Sequence, residues 1–232
     1  MFRYALIHAS EQPSLALGRA WPGLLSSREE AILAGFTFLP RRRKWLLGRA
    51  AAKRLVREMS GLPAVAQANI SVLNRPSGEP FVLVEGRGEW EYPISISHRS
   101  EVGMAAAPEK RHARIGADIE TIEPRDLALV RQFFTGGETE IVEASGENRD
   151  VAMTRIWSAK EAVLKLLGLG LRLDTRGIVV NLAGDPFSEC PTGWQPIEVK
   201  VCANLPGVAP PKSLHVMWRR ESWYVLTVAL SD

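Results

Sequence analysis

Cysteine is nearly absent from this chain: there are two in 232 residues, Cys190 and Cys202, in Pro-flanked or strand-like contexts without metal-ligand spacing. No disulfide framework is implied, and free thiols are expected. No apolar run approaches the roughly 20 residues of a membrane-spanning helix, and the first residues lack the long apolar stretch of a signal peptide. A soluble, cytoplasmic chain is therefore expected, with no membrane partner. Low-complexity tracts and residue-level repeats are also missing, which argues against a disordered tail or a solenoid. What remains is 46% hydrophobic and 24% charged, enough apolar material for one large domain or two small lobes.

The net charge of +3 conceals an asymmetry. Residues 1–112 hold 16 Lys/Arg against 10 Asp/Glu, whereas residues 113–232 hold 13 against 16. The first half suits an anionic ligand. The second half has acids to spare, as a divalent cation would require of oxygen ligands.

Along the chain, Phe2 to Ala9 reads as a strand. Ser27 and Glu30 have the spacing of a capping box at the start of a short helix. Pro40 opens a longer helix to about Ser60, closed by Gly61 and Pro63, on which Arg42, Arg49, Lys53 and Arg57 make a basic stripe. Strands at 69–73 and 81–84 flank a turn, Arg75-Pro76-Ser77-Gly78-Glu79-Pro80, rich in Gly and Pro. Ser95-Ile96-Ser97-His98 alternates, with Ile expected inward and Ser outward, and leads into a strand at 102–107. A hinge is expected at 108–111. Further strands are expected at 177–182, 197–202, 214–219 and 223–230.

Two later stretches carry chemistry. In Gly116-Ala117-Asp118-Ile119-Glu120 the period of two places Asp118 and Glu120 on one strand face, about 7 Å apart, where two carboxylates can converge on a cation. In the helix expected over 151–167, Ile156, Ala159, Val163, Leu166 and Leu167 share one arc. Glu161 and Lys165 lie opposite, with Trp157 one turn earlier and Lys160 at the edge of the apolar arc. Taken alone, either stretch reads as a solvated polar face.

Together, Gly-Ala-Asp118-Ile-Glu120 and Trp157-Ser-Ala-Lys160-Glu161-Ala with Lys165 resemble the paired signature of the Sfp-type 4′-phosphopantetheinyl transferases. Trp45-Leu46-Leu47-Gly48-Arg49 and Ser95-Ile96-Ser97-His98 resemble two further blocks of that family. The resemblance implies an α+β fold of two similar α/β lobes related by a pseudo-twofold, divided as residues 1–110 and 111–232, with the site between them. It implies transfer of phosphopantetheine from coenzyme A to a serine of an apo acyl, peptidyl or polyketide carrier protein, releasing adenosine 3′,5′-bisphosphate. By position, Asp118, Glu120 and Glu161 would hold Mg²⁺, for which Mn²⁺ could substitute. Glu161, Lys165 and Lys160 would be catalytic, with both lysines also near the phosphates. Arg49, Arg75, Gly78, Glu79, Pro80, Ser97 and His98 would hold the nucleotide end. Where many members have a lysine in the turn, this chain has Glu79, so only backbone contacts are expected there. A monomer is expected.

Phosphoryl transfer asks the protein mainly for positioning and charge neutralisation. Glu161 is expected to take the serine proton. Two other readings stand beside this one: a nucleic-acid-binding protein using the basic helix, and a Mg²⁺-dependent phosphoesterase using the three acids. The transferase reading makes a geometric demand, that the carboxylates of Asp118, Glu120 and Glu161 converge within reach of one cation, with Lys165 beside them.

Overall fold

The computed structural model describes residues 1–61, 65–169, 174–182, 193–202 and 211–232. Pro63 and Cys190 lie outside the described residues. Two units divide the chain, Met1–Ala113 and Arg114–Asp232.

In the first unit, β1 (Phe2–His8) leads through a short α1 (Pro13–Ala16) to α2 (Ser27–Ala34) and α3 (Leu39–Met59). Strands β2 (Ile70–Asn74), β3 (Pro80–Val84) and β4 (Gly88–Glu89) form one antiparallel sheet. Strands β5 (Ser95–Arg99) and β6 (Val102–Pro108) join β1 in a second, ordered β1-β6-β5. The long helix α3 has proline in its first turn, where a missing N–H costs nothing. It lays Leu46, Leu47, Ala50, Ala51 and Leu55, all buried, against β6, β1 and β5. Gly103 admits it: a Cβ there would stand 2.4 Å from the Leu47 carbonyl oxygen.

In the second unit, β7 (Arg114–Thr121) is followed by α4 (Leu127–Phe133), α5 (Gly136–Ala144) and α6 (Arg149–Leu167). Then come β8 (Ile178–Asn181), β9 (Gln195–Val201), β10 (His215–Glu221) and β11 (Tyr224–Ser231). The sheet order is β7-β11-β10-β9-β8, with antiparallel neighbours. Helix α6 packs across β7 and β11 and stops at Gly168, whose φ of 71° is left-handed.

Although no residue-level repeat is visible, the units repeat a topology. β1, β2, β3, β5 and β6 correspond in order to β7, β8, β9, β10 and β11, and α2 and α3 to α5 and α6. This is the α+β class and the likeness of lobes expected from the sequence.

One polar device recurs in both. In the first unit Ser26 caps α2 and Glu29 completes the capping box, one residue earlier than expected. Glu29 also accepts from the Val72 N–H (3.0 Å) and pairs with Lys53 of α3, whose ammonium donates to the carbonyls of Leu24 (2.6 Å) and Gln67 (3.0 Å). In the second unit Thr135 caps α5, and Glu138 accepts from Thr135 N–H and from Val180 N–H (both 2.7 Å). Glu138 pairs with Lys160 of α6 at 2.8 Å, and Lys160 donates to Thr175 O (3.0 Å) and Ile178 O (2.7 Å). Both lysines are fully buried, and burial lowers both below the ordinary lysine range, with their glutamates opposing. Each device ties the long helix to a capped helix and to the first strand of the following hairpin.

The basic stripe of α3 is therefore not a continuous wet face. Arg49 and Lys53 are buried, and Arg42 donates to the carbonyls of Gly18 (2.6 Å) and Leu33 (3.4 Å). The nucleic-acid reading loses the surface it needed.

Removing one partner of a buried ion pair strands the other in a dry interior. Lys53→Met and Lys160→Met should each lower unfolding stability by about 3–5 kcal/mol in denaturant titrations. A loss well below 1 kcal/mol in either would contradict the keystone role assigned to both devices.

Candidate active site

The acids of β7 are not a solvent face. Strand β7 is buried through most of its length, Asp118 and Glu120 included, because α6 lies against it unusually closely. A Cβ at Gly116 would fall 1.9 Å from the Ala162 carbonyl oxygen and 2.5 Å from the Leu166 nitrogen. Only glycine fits there, and the close approach sets the height of every side chain further along.

The two elements are nearly commensurate. Two strand residues advance about 6.7 Å, and four helix residues about 6 Å. Trp157, Glu161 and Lys165, spaced by four, therefore keep step with Glu120 and Asp118, spaced by two. Trp157 Nε1 donates to Glu120 Oε1 at 3.3 Å, and its ring meets Phe133 edge-on at 5.4 Å. Lys165 Nζ donates to Asp118 Oδ1 (2.8 Å) and to Ala117 O (3.0 Å). Arg125, just past β7, holds Glu120 Oε2 at 2.7 Å.

Glu161 stands in the middle of this stripe. Its Oε1 is buried without a hydrogen-bond partner among the described residues. Burial first, and Asp118 next, push its carboxyl up to about 7, with Glu120 adding to the effect and Lys165 opposing it. Three acids thus share one electrostatic neighbourhood, and the carboxylate at its centre is left short of positive charge.

The expectation that all three converge on one cation needs correction. Among the described residues no three His, Cys, Asp or Glu side chains form a group that could hold a metal ion. Lys165 draws Asp118 aside, while Arg125 and Trp157 hold Glu120. The donor chemistry still fits Mg²⁺, which takes one or two protein carboxylates and fills its remaining positions with water and phosphate oxygens. The partnerless oxygen of Glu161 is the kind of atom such an ion would satisfy.

Lys160 is also corrected. It does not join the stripe, being enclosed with Glu138, Thr175 and Ile178. Its place at the edge of the apolar arc was the signal that it points inward. The buried lysine of the first unit, where no such acid pair stands, shows the device to be structural.

In the first unit, His98 at the exposed end of β5 lines a cleft of about 490 Å³ with Phe36, Phe38, Pro40, Arg41, Lys44 and Trp45. Sequence reasoning named His98 and missed the rest. The clustering of Arg41 to Lys44 with aromatic residues was the available signal. Gly48 lets β5 approach α3, since a Cβ would come within 2.9 Å of Ile96 Cγ2. Ser95 and Ser97 are buried and Ile96 only partly so, the reverse of the expected alternation. Ile96 faces α3, and the opposite face, with Ser95, Ser97, Met104 and Ala106, is itself closed to solvent.

Arg49 is buried rather than open to a ligand. Its guanidinium lies 4.7 Å from the Trp45 ring and donates to Asn74 Oδ1 at 2.8 Å, and desolvation lowers its pKa to about 10. Asn74 Nδ2 in turn holds the Gly78 carbonyl at 2.7 Å. Arg49 thereby links the aromatic wall of the cleft to the turn at 75–80. That turn is closed by Gly78 N–H to Arg75 O and Arg75 N–H to Glu79 O, both 2.8 Å, with Gly78 at a φ of 93°. Arg75 is occupied by Glu89 and the Phe81 ring, and Pro80 begins β3.

Residues 114–205 match the profile of the 4′-phosphopantetheinyl transferase superfamily. The matched stretch contains Asp118, Glu120, Glu161 and Lys165. The match lies wholly within the second unit. It is 28% identical over 199 residues to the 4′-phosphopantetheinyl transferase psf-1 of Bacillus pumilus, spanning 80% of this chain and 81% of that one. A putative 4′-phosphopantetheinyl transferase of Synechocystis, slr0495, is 29% identical over 65% of this chain and 60% of its own length. The 4′-phosphopantetheinyl transferase AcpT of Salmonella typhi is 32% identical over 55% of this chain and 60% of its own. Among the described residues no helix is long and apolar enough to cross a membrane, and Cys202 is a free, exposed thiol.

Two outcomes follow from the geometry. Gly116→Ala must push α6 off β7, and should lower the melting temperature by about 5 °C or more. A melting curve that overlays the parent would show the helix free to give way. Because the Glu161 carboxyl is raised from 4.5 to about 7 in the folded chain, the folded form holds its proton more tightly than the unfolded form. Ionising Glu161 therefore costs stability as pH rises through that window. In metal-free buffer Glu161→Gln should melt higher than the parent at pH 8, the gap closing toward the acid end of the window. Equal melting at pH 8 would contradict the crowding of acids around Glu161.

Proposed function

We propose that this transferase moves 4′-phosphopantetheine from coenzyme A to a serine of an apo acyl, peptidyl or polyketide carrier protein in a Mg²⁺-dependent reaction. The serine oxygen forms a bond to the transferring phosphorus, the pyrophosphate bond of coenzyme A breaks, and adenosine 3′,5′-bisphosphate leaves. The observation that carries the reading is the stripe of Trp157, Glu161 and Lys165 set in step with Glu120 and Asp118.

Each residue has work suited to its surroundings. Glu161, partly buried among the acids, is the group proposed to take the serine proton. Lys165 supplies a positive charge beside the carboxylates, where pyrophosphate charge needs neutralising. Glu161, with a carboxylate of β7 beside it, would supply the protein oxygens that hold Mg²⁺. When bound, the ion would offset the charge of the pyrophosphate oxygens and of the departing group. Trp157 and Arg125 fix the Glu120 carboxylate, and Lys165 fixes that of Asp118.

The cleft at His98 suits the nucleotide end of the donor. Arg41 and Lys44 offer charge to a phosphate, and Phe36 and Trp45 offer flat apolar faces to a base. The backbone of the turn at 75–80, steadied by Arg49 through Asn74, adds donors without needing the side chain of Glu79.

The test is the mass of a phosphopantetheine adduct on apo carrier proteins of several kinds, incubated with coenzyme A and Mg²⁺. Asp118→Asn should keep the fold, by circular dichroism, and lower adduct formation on the order of 100-fold. An unchanged rate at limiting Mg²⁺ would contradict the role of Asp118. Cleavage of coenzyme A at an undiminished rate without any carrier would point instead to a phosphoesterase.

A further inference from the structure

Of the seven tryptophans, six are buried or half-buried, and Trp223 alone is open, with 69% of its surface exposed. An exposed indole forfeits a large gain from burial, so its place matters. Sequence reasoning began the last strand at this residue, whereas β11 begins at Tyr224 and Trp223 sits in the turn of the β10–β11 hairpin.

That turn is fixed. The Trp223 carbonyl accepts from the Ile122 N–H at 2.8 Å, Arg220 Nε donates to Ser222 O at 3.2 Å, and Ser222 adopts a left-handed φ of 54°. A residue held this way loses little conformational freedom on meeting a partner. Trp and Arg are also the side chains that most often dominate protein interfaces.

Its position relates it to the acids. Val225 pairs with Glu120 across the sheet, and Tyr224 with Thr121. Trp223 therefore stands about 7 Å of strand beyond the Glu120 rung. A protein acceptor of ordinary interface size covers about 800 Å² of its partner, a disc of roughly 16 Å radius. An acceptor whose interface is centred on the acid stripe lies over this turn. On the same hairpin Arg219 pairs with Glu221 at 2.8 Å.

We infer that Trp223 is the apolar anchor on which the acceptor, an apo carrier protein, docks. The inference rests on the transferase reading above. Trp223 governs recognition of the acceptor and plays no part in holding coenzyme A.

The test is steady-state kinetics of Trp223→Ala and Trp223→Phe with an apo carrier protein and coenzyme A, alongside thermal melts. The alanine variant should raise KM for the carrier about ten-fold, leave kcat and KM for coenzyme A unchanged, and melt with the parent. The phenylalanine variant should recover part of the loss, since it keeps a flat apolar face. A carrier KM that does not move, or a KM for coenzyme A that rises equally, overturns the docking role while leaving the transferase reading intact. No adduct from the unsubstituted protein overturns that reading, and this inference with it.

Discussion

The close seating of α6 on β7 is the constraint on which the second unit depends. It exists because Gly116 has no side chain: the Ala162 carbonyl occupies the space a Cβ would take. With the helix that low, residues spaced by four on α6 lie beside residues spaced by two on β7, and three carboxylates are gathered in a buried setting. Such a gathering is unfavourable on its own. Lys165, Arg125 and Trp157 offset part of the repulsion, and Glu161 bears the remainder as a carboxyl raised to about 7. The acids are thus crowded electrostatically, while the packing that gathers them is apolar.

A comparable close seating without the acids occurs in the first unit, where α3 lies over Gly103 of β6, the counterpart of β11. The comparison separates fold from function within one chain. Lys53 with Glu29 and Lys160 with Glu138 make equivalent connections from long helix to capped helix to hairpin strand, so these belong to the fold. The Asp118, Glu120 and Glu161 set lies outside that shared device, and is the set proposed to carry the chemistry. In the first unit the corresponding specialisation is the aromatic and basic cleft at His98.

Much of this was legible in the sequence because local rules governed it. Pro40 at the start of α3, the period of two in β7 and the apolar arc of α6 each placed an element closely. Errors arose where a distant partner decided. Ser26 with Glu29 and Ser27 with Glu30 both have capping-box spacing, and the choice between them is made by Lys53, which needs Glu29. Lys160 adjoins Glu161 in sequence, yet points the opposite way because Glu138 and two carbonyls receive it. Ser95 and Ser97 are buried although alternation put them outside, since both faces of β5 are covered. The repeated topology left only a sparse residue-level trace, with Ser26, Glu29 and Lys53 matched by Thr135, Glu138 and Lys160.

The central claim is that Glu161 stands at the focus of an acid cluster made for a divalent cation and a phosphate donor. Its most direct test is the carboxyl resonance of Glu161, followed by isotope-edited NMR across a pH titration, without and with Mg²⁺. The carboxyl should titrate near 7 in metal-free buffer and move toward the ordinary carboxylate range once Mg²⁺ is added. Titration at the ordinary value of 4.5 in both conditions would contradict the account.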